Sequence, residues 1–462
     1  MKKVISLFLT VFMLLALLAA CSDDASSNAP SAGASASAPS GTGPSSAAPS
    51  ASGSGEDGSQ GSSFVYDPGN DPVTVSSYTW WGGSAYEAIE RTAVSYNEKY
   101  PNVTINWEIV PGGDYAMKVM TDFSAGIAGD LMQVQEWATQ YSFFDKGYME
   151  ALDDWITRFN IDKSLWLLGV EDIATYEGHI VVLPVHVSNY LLFYNKDILA
   201  ECGVPEPELG VVLTFAELVE LAEKCATDKY IGLSFADSTV MTFAYPQYMG
   251  IEGYKDGVIN FKTPELIKYF TDIQDIMLAL NSDTIIQILQ TSFSRGICAF
   301  SILNVNVACS YAETLGLNIG MAFLPTWEKT DTPFQTVGSN SWGMCTKSNQ
   351  KEHAFAYLAY LASPEGTDIR CSTTSTFPAV QCQALLDNFL EPGDRFPYDY
   401  VKTTWPKEGQ RIILPYPKVP WIQTVGAQMS SNFAYFLMGD LTPEEYCDEL
   451  QYIFETARSS YE

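Results

Sequence analysis

The 42 residues from Ser22 to Ser63 contain 35 Ser, Ala, Gly or Pro and no aromatic or branched aliphatic side chain. Such a segment buries too little apolar surface to offset the entropy of ordering it, so it is predicted to be a disordered spacer. As a flexible coil it reaches roughly 40 Å on average. The tract divides the chain in two, because everything with the composition of a folded body lies after it, from about Pro72 onward. Ahead of it stand Lys2 and Lys3, an apolar run Val4–Leu18 interrupted only by Ser6 and Thr10, and then Leu18-Ala19-Ala20-Cys21. Positive flank, short apolar run and small residues, in that order, make an export signal rather than a structural helix.

The last four of those residues resemble a bacterial lipobox. The resemblance implies cleavage before Cys21, lipidation of its thiol, and tethering to a lipid bilayer at the extracellular face of the cell membrane. Losing Lys2 and Lys3 would leave 23 basic against 55 acidic residues. Already at a net charge of −30 the chain lacks the basic face that phosphate neutralisation needs, so nucleic acid is excluded as a partner. With 47% hydrophobic and 13% aromatic residues, the body can bury a sizeable core. Eight cysteines remain after Cys21 (202, 225, 298, 309, 345, 371, 382 and 447), scattered without a Cys-x-x-Cys spacing. Buried free thiols are the expectation for Cys298, Cys309 and Cys345, which sit in apolar contexts, with pairing of the eight in any of 105 connectivities as the alternative.

Strand and helix signals alternate along the body. Val73–Trp81 is rich in strand formers and ends at Gly82-Gly83, after which Ser84 and Glu87 have capping-box spacing. Ala85, Ile89, Thr92, Ala93 and Tyr96 fall on one helical face, Tyr100-Pro101-Asn102 stops the helix, and Val103, Ile105, Trp107 and Ile109 alternate as a strand. Together these make a βαβ unit. Thr214…Glu217 and Thr442-Pro443-Glu444-Glu445 are further helix starts, and Lys351–Leu361 reads as a helix. The fold class is therefore α/β, and about 390 residues are too many for one compact sheet. In open parallel sheets ligands bind beyond the carboxyl ends of strands, which is where Trp80-Trp81-Gly82-Gly83 stands.

Seven segments, in order, carry a resemblance to a known family: Tyr78-Thr-Trp-Trp-Gly-Gly83 with Tyr96-Asn-Glu-Lys-Tyr-Pro-Asn-Val-Thr104; Ser124-Ala-Gly-Ile-Ala-Gly-Asp130; Gly147-Tyr-Met-Glu-Ala-Leu-Asp153; Gly178-His-Ile-Val-Val-Leu-Pro184 with Tyr194-Asn-Lys-Asp197; Leu317–Pro325; Ala359–Gly366; and Phe377-Pro378. The body resembles the family 1 extracellular solute-binding proteins, the sugar-binding components of ABC importers. The resemblance implies a two-lobed, type II periplasmic-binding-protein-like fold, each lobe a β-sheet flanked by helices, with the ligand in the cleft between them. It places chain crossings near Pro184–Val187, Ala322–Pro325 and Ser372–Phe377. The implied domains are a signal peptide (1–20), the lipidated Cys21 and spacer (21–72), an N-terminal lobe (73–184 with 325–373) and a C-terminal lobe (185–324 with 374–462).

Carried over residue by residue, the resemblance makes Trp80, Trp81, Asp114, Tyr115, Gln135, Glu136, Trp137, Ser188, Asn189, Tyr190, Asn304, Asn306 and Trp342 the candidate ligand-binding residues. Asp114 and Tyr115 follow Gly112-Gly113 in what resembles a glycine-flanked loop. Two departures stand out: Asn306 occupies the place of a stacking tryptophan, and Ser188 that of a carboxylate. The residue types suit carbohydrate, whose C–H faces stack on aromatic rings and whose hydroxyls pair with carboxylates and amides. His186 is read as structural, while Trp405, Tyr416 and Trp421 read as surface packing with the cleft as the alternative.

Neither a nucleophile elbow, a phosphate-binding loop nor a His-Glu-x-x-His motif is present, and His179, His186 and His353 have no metal-ligand spacing. The expectation is a monomeric binding protein without cofactor or metal, not an enzyme, which takes a neutral mono- or oligosaccharide and passes it to ABC permease and ATPase subunits. A surface glycan receptor or sensor of the same fold is the alternative, and a carbohydrate-active enzyme a third. No Arg or Lys lies in the predicted site segments except Lys118, which argues against uronic acids.

Overall fold

The computed structural model describes residues 64–136, 138–235, 237–280, 289–371, 377–385 and 409–462. The expected chain crossing at Ser372–Phe377 falls largely outside these residues, as do Trp137, Trp405 and the side chain of Cys309.

Ten strands form one mixed sheet: β1 (Val73–Thr79), β2 (Val103–Ile109), β3 (Leu131–Val134), β4 (Leu183–Asn195), β5 (Ile231–Phe235), β6 (Cys298–Asn304), β7 (Ile319–Ala322), β8 (Phe334–Met344), β9 (Phe377–Pro378) and β10 (Arg411–Ile413). The main path runs β2-β1-β3-β8-β4-β6-β5, with β7 and β9 also on β4 and β10 on β8. β1 pairs in parallel with both β2 and β3, and the helix Gly83–Lys99 connects β1 to β2, as the βαβ pattern predicts. That helix buries Ala88, Ile89, Thr92, Ala93 and Tyr96.

β4 decides the architecture. Its 13 residues are buried throughout. Residues up to Asn189 pair with β8, whereas Tyr190–Tyr194 pair with β6 and Leu192–Asn195 with β7. One strand is thus shared by two groups of partners, and the hand-over falls at Asn189/Tyr190.

Local sequence accounts for several helix starts. Thr214 and Thr442 each form a complete capping box with the glutamate three residues on, and Pro443 fills the first helical turn. Ser84 and Glu87 do not: Gly82 is the N-cap, so the serine lies inside the first turn and makes no capping bond. Cys298 and Cys345 are buried free thiols, and burial pushes the Cys298 thiol up to about 12. Among the described residues no helix is long and apolar enough to cross a membrane.

Candidate functional site

The carboxyl ends of β1 and β3 lie side by side, because Ser77 and Tyr78 register with Leu131 and Met132. The chain leaving β1 presents Trp80 and Trp81, and the chain leaving β3 presents Gln135 and Glu136. They open onto two adjoining chambers of about 640 and about 320 Å³, which share Gln135 and Tyr416.

The larger chamber has Trp80, Tyr115 and Gln135 on one side. Facing them are Asp237, Ser238 and Thr239, just beyond β5, and the first half of the helix Ile422–Leu437, including Gln423 and Ser430. Trp80 meets Tyr115 edge-on at 4.7 Å. Asp237 is organised from both sides, accepting from Tyr190 Oη at 2.8 Å and from the Thr239 amide at 2.7 Å. Tyr416 bonds Thr239 at 2.9 Å, so phenols, hydroxyl and carboxylate form one polar waist between the chambers.

The smaller chamber is more polar. Trp81, Glu136, His186, Ser188, Tyr190, Asn304, Asn306, Ser339 and Asn340 line it. Asn304 donates to Ser188 Oγ at 2.9 Å while its Oδ1 accepts from the Asn306 amide at 3.0 Å, capping the following helix. Glu136 is buried, and that burial pushes its carboxyl up to about 7 against the opposing pull of its own amide and of Ser339. Its oxygens accept from Ser339 N at 3.1 and 3.2 Å. A Cβ at Gly338 would lie 2.6 Å from Glu136 Oε1, so glycine is what lets the strand pass the carboxylate. Burial first, then the Arg370 charge, hold the His186 imidazole down at about 3, so it is neutral.

Nine of the thirteen candidates line these chambers: Trp80, Trp81, Tyr115, Gln135, Glu136, Ser188, Tyr190, Asn304 and Asn306. Trp342 lines neither; it is fully buried, with Trp81 edge-on to it at 5.1 Å. Asn189 points elsewhere, toward Gln335 at 3.4 Å. Asp114 is exposed off both chambers, and the expected glycine-flanked loop is instead the first turn of the helix Gly112–Ala125. Trp137 lies outside the described residues. Sequence reasoning missed Asp237, Ser238, Thr239, Gln423 and Ser430, read His186 as structural, and gave Tyr416 surface packing with the cleft as the alternative. Trp421 is buried against Phe454, as packing. No group of three or more His, Cys, Asp or Glu among the described residues could hold a metal ion.

The mixed α/β architecture is that of the two-lobed binding-protein fold. Residues 73–368 match the model of the bacterial extracellular solute-binding protein family, and the chain belongs to that family. Among curated relatives, a putative binding protein of Brucella abortus is 23% identical over 71% of this chain and 80% of its own length. The galactooligosaccharide-binding protein of Bacillus subtilis is 25% identical over 44% of this chain and 50% of its own. The fold is that of an ABC substrate-binding protein of Listeria monocytogenes solved with cycloalternan, at TM-score 0.69 and 20% identity over 84% of this chain and 99% of that one. Maltose-bound MalE3 of T. maritima has TM-score 0.65 and 18% identity, over 83% and 99%.

Proposed function

We propose that this protein is an extracytoplasmic receptor, tethered to the membrane through lipidated Cys21, that binds a neutral mono- or oligosaccharide between its lobes and delivers it to an ABC permease. The observation that carries the reading is the chemistry of the two chambers. Aromatic side chains (Trp80, Trp81, Tyr115, Tyr190, Tyr416) alternate with amides, hydroxyls and two carboxylates, Glu136 and Asp237, and no Lys or Arg is among the described lining residues. Carboxylates and amides pair with sugar hydroxyls, and rings accept sugar C–H faces. An anionic ligand would meet two carboxylates without a compensating cation, which is costly in a partly buried site.

The change of partners along β4 supports two lobes that share this strand, with the hand-over at Asn189/Tyr190, five residues beyond the 184/185 boundary that the resemblance implies. Relative movement about such crossings would close the cleft over ligand. Binding rather than catalysis is the reading for Glu136 and Asp237, in keeping with the family the chain belongs to. Thermal-shift and calorimetric titration of the body against neutral and uronate oligosaccharides tests the reading: a ligand that binds the folded form alone raises the melting temperature, by about 2.7 kcal/mol of stabilisation at a hundredfold excess over Kd. Binding of uronates with none of neutral sugars would overturn the substrate class.

A further inference from the structure

Trp81 stands half-buried on the wall of the smaller chamber, and its main chain and its ring are tied to one set of polar side chains. At the main-chain end, the Trp81 amide donates to Thr79 Oγ1 at 3.0 Å. That hydroxyl gives its own proton to Gln133 Oε1 at 2.6 Å, and the Trp80 amide donates to the same oxygen at 3.1 Å. Backbone amides only donate, so the carbonyl oxygen of Gln133 is fixed on this side and its Nε2 on the other. Nε2 lies 3.3 Å from Asn340 Oδ1, which leaves Asn340 Nδ2 turned to His186 Nε2 at 2.9 Å. A donor facing that ring nitrogen requires it to be unprotonated, so the imidazole carries its proton on Nδ1.

At the ring end, His186 stacks on the Trp81 indole with centroids 5.2 Å apart and planes 9° from parallel. The path leaves Trp81 through its amide and returns through its ring. Thr79, Gln133 and His186 are buried, where water does not compete for these bonds. His186 Nδ1 has no hydrogen-bond partner, so among the described contacts Nε2 is the ring's polar tether.

We propose that His186 is a positioning residue for the ligand-facing wall: the circuit through Thr79, Gln133 and Asn340 holds it as the Nδ1–H tautomer, and the stacked imidazole sets the orientation in which a sugar meets Trp81. The proposal rests on the reading of the smaller chamber as part of a carbohydrate site. A histidine that merely fills space has no required tautomer and is replaceable by another flat ring.

The first test needs no ligand. In ¹⁵N-histidine-labelled protein, long-range ¹H–¹⁵N spectra report the tautomer of each histidine, and the His186 signal is assigned by its loss in His186→Phe. The expected result is Nδ1–H from about pH 5 to about pH 8; Nε2–H or an imidazolium in that range overturns the circuit. Gln133→Glu places an acceptor against Asn340, which turns its amide and converts His186 to Nε2–H; if that variant fails to fold, the wild-type tautomer still decides. The second test uses His186→Phe, which keeps a stackable ring and loses the tether. Its Kd for a sugar found in the thermal-shift screen is expected to weaken about 2- to 10-fold, the worth of an ordered aromatic pair, and the 5-fluorotryptophan resonance of Trp81 to shift or broaden. Wild-type affinity with an unchanged Trp81 resonance overturns the positioning role. A silent sugar panel would sink the receptor reading alone, because the tautomer and fluorine spectra are read without ligand.

Discussion

Glu136→Gln offers the sharpest quantitative prediction. The carboxyl sits at 4.5 in an unperturbed chain and is carried to about 7 in the folded protein by burial. The folded state therefore holds this proton more tightly than the unfolded state, so the group costs nothing at low pH, and stability falls as pH rises from about 4.5 to about 7. At about 1.4 kcal/mol per tenfold change in proton affinity, ionising the group in place costs about 3 kcal/mol more than in the unfolded chain. Between about pH 5 and about pH 8 most of that cost, about 2–3 kcal/mol, is still to be met. Glutamine keeps an oxygen to accept from Ser339 N and has no proton to lose. Urea unfolding of wild type and variant at the two pH values isolates the effect, because every other titrating group is common to both. The variant is expected to gain about 2–3 kcal/mol relative to wild type on going from the lower to the higher pH. A wild-type minus variant difference that stays constant across that range would refute the argument that Glu136 is buried and weakly compensated.

Trp81→Ala is expected to weaken sugar binding about 10-fold or more in a calorimetric titration, the loss of a stacking face and its apolar area, and to lower the melting temperature because Trp342 and His186 lose their cover. Asp237→Ala should weaken binding on the other side of the waist and, by freeing Tyr190 Oη and the Thr239 amide, cost about 1–3 kcal/mol in urea unfolding. Gly338→Ala drives a methyl to 2.6 Å from Glu136 Oε1 and is expected to cost about 1–3 kcal/mol together with a loss of affinity. Thr442→Ala removes a complete capping box far from the cleft, so stability should drop by about 1 kcal/mol with the sugar Kd unchanged.

What was legible in the sequence follows from which signals are local. The first strand, the helix Gly83–Lys99 and β2 announce themselves through periodicity, and the capping boxes at Thr214 and Thr442 through a Thr-to-Glu spacing of three residues. Ser84 misled because two glycines precede it, and the helix begins one residue earlier on glycine geometry. Trp80 and Trp81 were legible because a parallel strand's carboxyl end is a position the order of elements fixes, whereas Gln135 and Glu136 came from the family resemblance alone. Asp237 and Tyr416 were not, since they reach the cleft from connections whose place is set by tertiary folding. Asp237 does leave a faint trace: it bonds the amide two residues on, at Thr239, a local turn that Asp-Ser-Thr encodes. Trp342 could not be told from Trp81 by type or strand position; what separates them is that Trp81 covers Trp342.

The most direct measurement of the central claim is calorimetric titration of the folded body with neutral and uronate oligosaccharides, repeated on Trp81→Ala and Asp237→Ala. Saturable binding of a neutral saccharide, quenching of tryptophan fluorescence, and weakening by either substitution are the expected results. Tight binding of a uronate or of a solute without sugar hydroxyls, unaffected by both substitutions, would contradict the claim.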